Sequence, residues 1–500
     1  MRIKAPSAKS HSPRRLPGSP PPESGGAQCA SVLIIVLWIA LGLVSITLYF
    51  ANSMSSELRA SDNRVSGLVA EQAIEGAARY LTYILSNFST NGVMLDPADY
   101  LSQAVPVGDA HFWLIGRDTN SPVGPGQVFF GLVDEASKLN LNFASSNMLA
   151  SLLQSMPQAN PDLAGAILDW RDTNGGGASQ TYYSMRSPAY QCKNAPFETV
   201  DELRLLQGAD MDTLLGEDLN RNGVLDPNEA DENHNGIVDP GVLEYLTVYS
   251  REPGTSSNGL PRVNISLVVG ATGPLPALLQ SAFSSSRADR ILTRLGLLSP
   301  ASSPATRPPG GVPRQAASSG GGATANAAAN VPRAAFTSPL HFYLQSGMKL
   351  EEFAYIFNAI RMDDGTNAIE GRINVNTASA AVLACLPGMT SDLAQTLVNY
   401  RLTNPDKLTS IAWVADALGQ NDSTALQTLA AGDYLTTQSY QFMADVAALG
   451  PHGRGYRRTR FVFDTIDGSP KIIYRQDLSH LGWALGKETR QTWLFAKNTQ

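Results

Sequence analysis

Five hundred residues with 43% apolar side chains are too many for one small domain, so roughly two to four domains are expected. Charged residues make up 16%, and 37 Lys and Arg stand against 44 Asp and Glu for a net charge of −7, which argues against a protein that coats nucleic acid. Three cysteines (Cys29, Cys192, Cys385) cannot build a disulfide framework or a four-thiolate zinc site, and the six histidines form no HExxH motif.

Residues 1–30 are rich in Pro, Ser and Gly, carry Arg2, Lys4, Lys9, Arg14 and Arg15, and read as a disordered basic leader. From Ser24 to Ser56 there is no charge, and Val32 to Phe50 is almost wholly apolar. Nineteen residues of helix span about 28 Å, close to the hydrocarbon core of a bilayer, and the basic leader places the N-terminus in the cytoplasm. A secretory signal peptide would have a shorter apolar run and a small-x-small cleavage site. No proline occurs between Pro22 and Pro97, and Met54, Leu58, Val65, Val69, Ala73, Ala77, Leu81, Ile84 and Phe88 recur at steps of 3, 4 or 7. That spacing predicts one continuous helix from Val32 to about Phe88, roughly 85 Å long, with an apolar first half and an amphipathic second half. Glu75 and Arg79, four apart, can pair on its wet side.

This layout is that of a type IV pilin-like subunit. The stretch SVLIIVLWIA (Ser31–Ala40) resembles the mature start of the K-type minor pseudopilins of type II secretion systems, the general secretion pathway protein K family. The resemblance extends through GLVDEASKLNLN (Gly131–Asn142), ILDWRDTN (Ile167–Asn174), KNAPFETVDELRLLQG (Lys193–Gly208) and YLTVYS (Tyr245–Ser250), in the family's order. It implies cleavage of the leader by a prepilin peptidase at Ala30–Ser31, with Gly26–Ala27 as the alternative. The fifth mature residue is then Ile35, where most pilins carry Glu. A carboxylate in hydrocarbon is costly without a partner, so its absence suits a subunit with no neighbour above it, and the K-type family is placed at the pseudopilus tip.

The sharpest chemical signal is DLNRNGVLDPNE at 218–229. It fits a calcium-binding EF-hand loop, with Asp218, Asn220 and Asn222 at positions 1, 3 and 5, Gly223 at the turn, the Val224 carbonyl at 7, Asp226 at 9 and Glu229 at 12. Thirteen residues on, Asp231, Asn233, Asn235, Gly236, Ile237 and Asp239 repeat the pattern, but position 12 is Val242. Either Glu244 substitutes there or the second site is the weaker. Seven acids in this stretch would repel one another with no cation between them, and the resemblance likewise implies bound calcium. Asp169, Trp170, Arg171 and Asp172 look like a catalytic cluster but read as structural.

Residues 299–335 are Ala, Ser, Gly and Pro with three arginines and no acids, the composition of a flexible linker. Beyond them, Gly371–Arg401 resembles a helix-hairpin-helix: a first helix Ala378–Cys385, a hairpin Leu386–Met389, and a second helix capped by Ser391 and running to Tyr400. Pro196–Leu215 is a weaker copy. The second glycine of a phosphate-binding hairpin is Thr390 in one and Asp210 in the other, so structural use is expected and nucleic acid is not expected as a partner. Cys192 and Cys385 lie each beside one hairpin, and either bridge the two or stay buried free thiols. From Tyr434, YQFMADVAAL, RRTRFVFDTI and PKIIYR alternate as strands.

The expected fold is α+β: a long membrane-spanning helix packed on a pilin-like antiparallel sheet, with inserted all-α helix-hairpin-helix or SAM-like pieces. The expected divisions are a leader (1–30), the long helix (31–95), the start of the pilin-like domain (96–145), a first helical domain with the calcium loops (146–250), a return strand and connection (251–298), the linker (299–338), a second helical domain (339–433) and the closing strands (434–500). The implied function is that of a minor pseudopilin, not an enzyme, in the bacterial inner membrane with its head in the periplasm. Its implied partners are the other minor pseudopilins, the major pseudopilin, the inner-membrane assembly platform, prepilin peptidase and the lipid bilayer. The competing reading is a membrane-anchored DNA-binding protein of a competence or type IV pilus system.

Overall fold

The computed structural model describes residues 27–88, 92–119, 127–175, 177–256, 258–298, 332–365, 367–419 and 423–496. The chain divides into two units, residues up to 64 and residues 65–500. One helix, Ala27–Phe88, runs through both. It starts four residues before the expected leader junction, and the rest of the leader lies outside the described residues. Its Val32–Phe50 stretch is exposed throughout the large apolar side chains. Among the described residues this is the one helix long and apolar enough to cross a membrane.

In the second unit the helix buries Ala70, Ala73, Ile74, Ala77, Ala78, Leu81, Ile84 and Leu85, spaced by 1, 3 or 4 along one face. The face begins later than its apolar pattern suggested: Val65 is 56% exposed, and Met54 and Leu58 are exposed as well. Glu75 does not pair within the helix; Arg475 reaches it across 2.6 Å from the sheet edge.

The helix packs on an antiparallel sheet in the order Val105–Val107, Ala110–Ile115, Gln441–Leu449, Arg457–Asp464, Lys471–Asp477, with Val133–Asp134 pairing the start of the central strand. All three strands read from the C-terminal alternation are present. Period-2 geometry sends Phe442, Ala444, Val446 and Ala448 to the helix, beside Phe112, Leu114, Phe461 and Phe463. The intervening Met443, Asp445, Ala447 and Leu449 face the other way. There Ala447 and Leu449 meet Trp113, Ile115, Ala484 and Leu485.

The helical segments on either side of the linker share one apolar core, from Leu139 to Leu435, and so pack as one body. It is built twice from the same parts. KLNLNFAS (138–145) returns as RINVNTAS (372–379), and YLTVYS (245–250) as YLTTQS (434–439). In each copy the first motif pairs parallel with the second. Asn140 donates to Ser250 Oγ at 3.0 Å, and Asn374 to Ser439 Oγ at 2.9 Å. Ser145 and Ser379 cap the helices that follow. Arg171 holds the Leu141 and Ala144 carbonyls, as Arg401 holds those of Val375 and Ala378.

Three expectations are corrected. Residues 251–298 are not a return strand of the main sheet. They form short strands that pair with 333–335, 360–361 and 369–370, and two helices, Pro274–Ala282 and Ser285–Arg294. A proline at the first helical position and Ala288, Ile291 and Leu292 on one buried face explain the helices. The end of the expected linker is a strand, Arg333–Ala335, while 299–331 lie outside the described residues. In the second hairpin the helix after the turn runs Ser391–Thr403 and is capped by Thr390, because the Thr390 hydroxyl accepts the Leu393 amide at 3.3 Å.

Candidate calcium-binding site

Residues 218–239 form two successive turns with one hydrogen-bond pattern. In the first, Asp218 accepts the Asn222 and Gly223 amides, each at 2.9 Å, and Asn222 Oδ1 accepts the Val224 amide at 2.9 Å. In the second, Asp231 accepts the Asn235 and Gly236 amides at 3.1 and 2.9 Å, and Asn235 Oδ1 accepts the Ile237 amide at 2.7 Å. Position 4 is left-handed in both, Arg221 at φ 58° and His234 at φ 57°, and the glycines follow at φ 81° and 75°. The amides of Asn220 and Asn222 converge on Asp226 Oδ2 at 2.6 and 2.8 Å, and those of Asn233 and Asn235 on Asp239 Oδ2. The tandem repeat read from the sequence is thus a repeat in space.

Position 12 separates the turns. Glu229 accepts the Asn220 amide at 3.1 Å and the Asp226 amide at 2.9 Å. Val242 at the second position 12 is fully buried in the apolar core. Glu244 is no substitute: Arg117 holds it at 2.7 Å. Glu217 takes the role instead, accepting the Glu232 amide at 2.8 Å and the Asp239 amide at 3.1 Å. Sequence spacing missed it because it precedes the first loop rather than closing the second.

The first turn is buried and clamped to the sheet. Arg458, on the face away from the long helix, donates to the Asn220 and Arg221 carbonyls, the latter at 2.8 Å. Arg117 also reaches the Arg221 carbonyl at 2.8 Å. The Asn220 amide meets the Trp483 carbonyl at 3.1 Å. The second turn is largely exposed.

The donors fit a hard cation. Burial, reinforced by Asp218 and Asp226, pushes the Glu229 carboxyl up to about 7 against the two amides it accepts. Burial also raises Asp218, against the pull of Arg117. Asn220 Oδ1 is buried with no partner, which is where a position-3 ligand oxygen belongs. Among the described residues no three His, Cys, Asp or Glu side chains converge as a metal cluster, because asparagine amides lie between the acids.

The other singled-out residues are structural. Asp169 accepts the Ser179 amide and hydroxyl at 3.0 and 2.8 Å, Trp170 donates to Glu202 at 3.1 Å, and Asp172 accepts the Asn174 amide at 3.0 Å. Asp210 accepts the Thr213 amide at 2.7 Å, so at this hairpin that amide is taken by a side chain. Cys192 and Cys385 are free and buried rather than bridged. Each thiol donates inside its own copy, to Asp169 O at 3.1 Å and to Ala381 O at 3.0 Å. Burial raises both thiols, Cys385 to about 12, which leaves them unreactive. Ala30 and Ser31 lie in the first turns of the long helix.

Residues 132–215 and 373–432, which cover much of the two copies, each match a family model for protein K of the type II secretion system. Two separate segments of the chain are thus similar to protein K of the type II secretion system. No curated protein matches it in sequence. Among solved structures it is similar to a chain of the GspK-GspI-GspJ complex from the enterotoxigenic Escherichia coli type 2 secretion system, with 10% identity, a TM-score of 0.35, and coverage of 84% of this chain and 99% of that one. The family is one of minor pseudopilins.

Proposed function

We propose that this chain is a minor pseudopilin of the protein K family at the tip of the pseudopilus. Its work there is assembly rather than catalysis, starting or capping the fibre that drives proteins across the outer membrane. The observation that carries the reading is the pairing of two protein K segments with an uncharged apolar helix start that has Ile35, not Glu, five residues after the proposed cut. The apolar helix would store the subunit in the inner membrane with its N-terminus in the cytoplasm and the residues after Phe50 in the periplasm. A subunit without the buried carboxylate needs no neighbour above it. Other pseudopilins, the assembly platform and prepilin peptidase are the partners this role requires.

Two calcium ions belong to the same reading. The first would be held by Asp218, Asn220, Asn222, the Val224 carbonyl, Asp226 and Glu229, and the second by Asp231, Asn233, Asn235, the Ile237 carbonyl, Asp239 and Glu217. When bound, calcium supplies the positive charge that these clustered acids lack. Arg458 and Arg117 fix the first turn against the sheet, so ion occupancy would stiffen the join between the helical body and the sheet.

N-terminal sequencing of membrane-extracted protein tests the role. It should read SVLII, and the extracted protein should co-purify with neighbouring pseudopilins. Recovery of an intact Met1, a start beyond Phe50, or no pseudopilin in the eluate would overturn the reading.

A further inference from the structure

A second, smaller site lies behind the first turn. A cavity of ≈ 30 Å³ is walled by Glu135, Lys138, Asp201, Arg221, Tyr249 and Arg460, among others. Most of these charges are already answered. Lys138 pairs with Glu135 at 2.7 Å, Arg460 with Asp445 at 2.8 Å, and Asp201 accepts from Tyr474 and Gln476.

Two groups are not. Arg221 is 8% exposed and makes no ion pair within 4.0 Å among the described residues. Its side chain donates a single long bond, 3.4 Å, to the Leu243 carbonyl. Tyr249 lends its hydroxyl to the same wall, buried and without a partner. Both can donate, and the carboxylates in the wall are already taken, Glu135 by Lys138 and Thr247 and Asp201 by Tyr474 and Gln476, so a further acceptor would serve both. Glu244, Asp445 and Asp201 act on Arg221 only from beyond ion-pair distance, and Arg460 and Arg458 oppose its charge, so the guanidinium lacks a partner in contact.

We propose that this cavity binds a small inorganic anion of halide size, with Arg221 supplying the charge and Tyr249 a hydrogen bond. Water would satisfy the phenol but not the guanidinium charge. A space of this volume takes one or two water-sized bodies, which excludes carboxylate metabolites and side chains from outside. Burial raises the Tyr249 phenol, so its hydroxyl keeps its proton to donate. Arg221 sits within the 218–229 turn, so the state of that turn is held constant in the test.

The test uses the full chain in detergent with calcium in excess, so that the loop carrying Arg221 is in one state. Melting is followed in sodium chloride and in sodium gluconate at equal ionic strength, and chloride-35 line broadening is read in parallel. Chloride should raise the melting temperature in a saturating way and broaden the line. Tyr249→Phe, which keeps the ring, should weaken chloride binding by about tenfold, the loss of one hydrogen bond to a charged group. Arg221→Met should abolish the effect, and if it fails to fold, Tyr249→Phe decides alone. Equal melting in both salts with no excess broadening would mean water only, and the same chloride dependence in Tyr249→Phe as in the unsubstituted chain would mean surface ions only; either result overturns the site.

Discussion

At Asp445 a carboxylate with no exposed surface faces Arg458, itself fully buried, at 2.7 Å and Arg460 at 2.8 Å. Burial would raise it, but the two arginines outweigh burial and hold it well below the usual carboxylate range. Removing its charge strands two buried cations, so Asp445→Asn should lower stability by about 3–5 kcal/mol, read as a shift of the urea midpoint. Asp134 shows the opposite balance. It has no cation, only donors from Ser439, Thr377, Asn374 and the Ala136 amide, and burial lifts it to about 6. A raised carboxylate contributes stability that is full below its unfolded value near 3.8 and is lost as pH rises through about 6. Stability should therefore gain roughly 2–3 kcal/mol from this group between pH 7 and pH 4, and Asp134→Asn should lack that slope whatever its absolute stability. An unchanged slope in the variant would refute this. At the calcium turns, Asp218→Ala should remove most of the calcium-dependent rise in melting temperature. Asp231→Ala and Glu217→Gln should each remove less, because the second turn is exposed and is proposed as the weaker site. Calorimetry with and without chelator checks all three, and a larger effect of Asp231→Ala than of Asp218→Ala would contradict the assignment.

The long helix meets the sheet through small residues. Ala70, Ala73 and Ala77 have no exposed surface, and they let the helix approach Phe442, Phe461 and Phe463 closely. Such a seam has no room for growth, so Ala77→Leu should destabilise the fold by about 1–3 kcal/mol. Val65→Ser, one helix face away and 56% exposed, should leave the urea midpoint nearly unchanged. Equal effects of the two would mean that the helix face is misassigned. The hairpins make the same point about neighbours. Thr390 and Asp210 each spend a side chain on the first turn of the following helix, and Gly388 and Gly208, at φ 80° and 81°, make the bend before it.

Within residues 65–500, the turn at 218–229 joins pieces far apart in sequence. Its carbonyls bind Arg458 of the sheet, Arg117 beyond the Ala110–Ile115 strand also holds it, and its Asn220 amide meets Trp483. If calcium stiffens that join, a chelator should raise amide hydrogen exchange in residues 218–239 first. The central strand Gln441–Leu449, buried along its whole length, should stay protected. Uniform exchange across both would show that the turn is not a local unit. The doubled build of the helical body explains why its linker can be long: each copy closes on its own Asn–Ser pair, Asn140 with Ser250 and Asn374 with Ser439, so neither needs the linker for its register.

Local patterns in the sequence determined the long helix, the closing strands and both calcium-like turns, because each is a matter of spacing along one chain: 3.6 for the helix, 2 for the strands, and alternating oxygens for the turns. The repeat at 138–145 and 372–379 shares four of its eight letters, but its two halves lie 234 residues apart, beyond any local pattern. Tertiary structure alone decided the rest. Position 12 of the second turn comes from Glu217, ahead of the first, because the chain doubles back through Glu232 and Asp239. Glu244 turns to Arg117 and Glu75 to Arg475, since a charge pairs with whatever the fold brings within reach. The two cysteines stay apart because each thiol finds a carbonyl in its own copy. Arg221 and Tyr249 lie 28 residues apart, and only packing of the turn on the sheet puts both on one cavity.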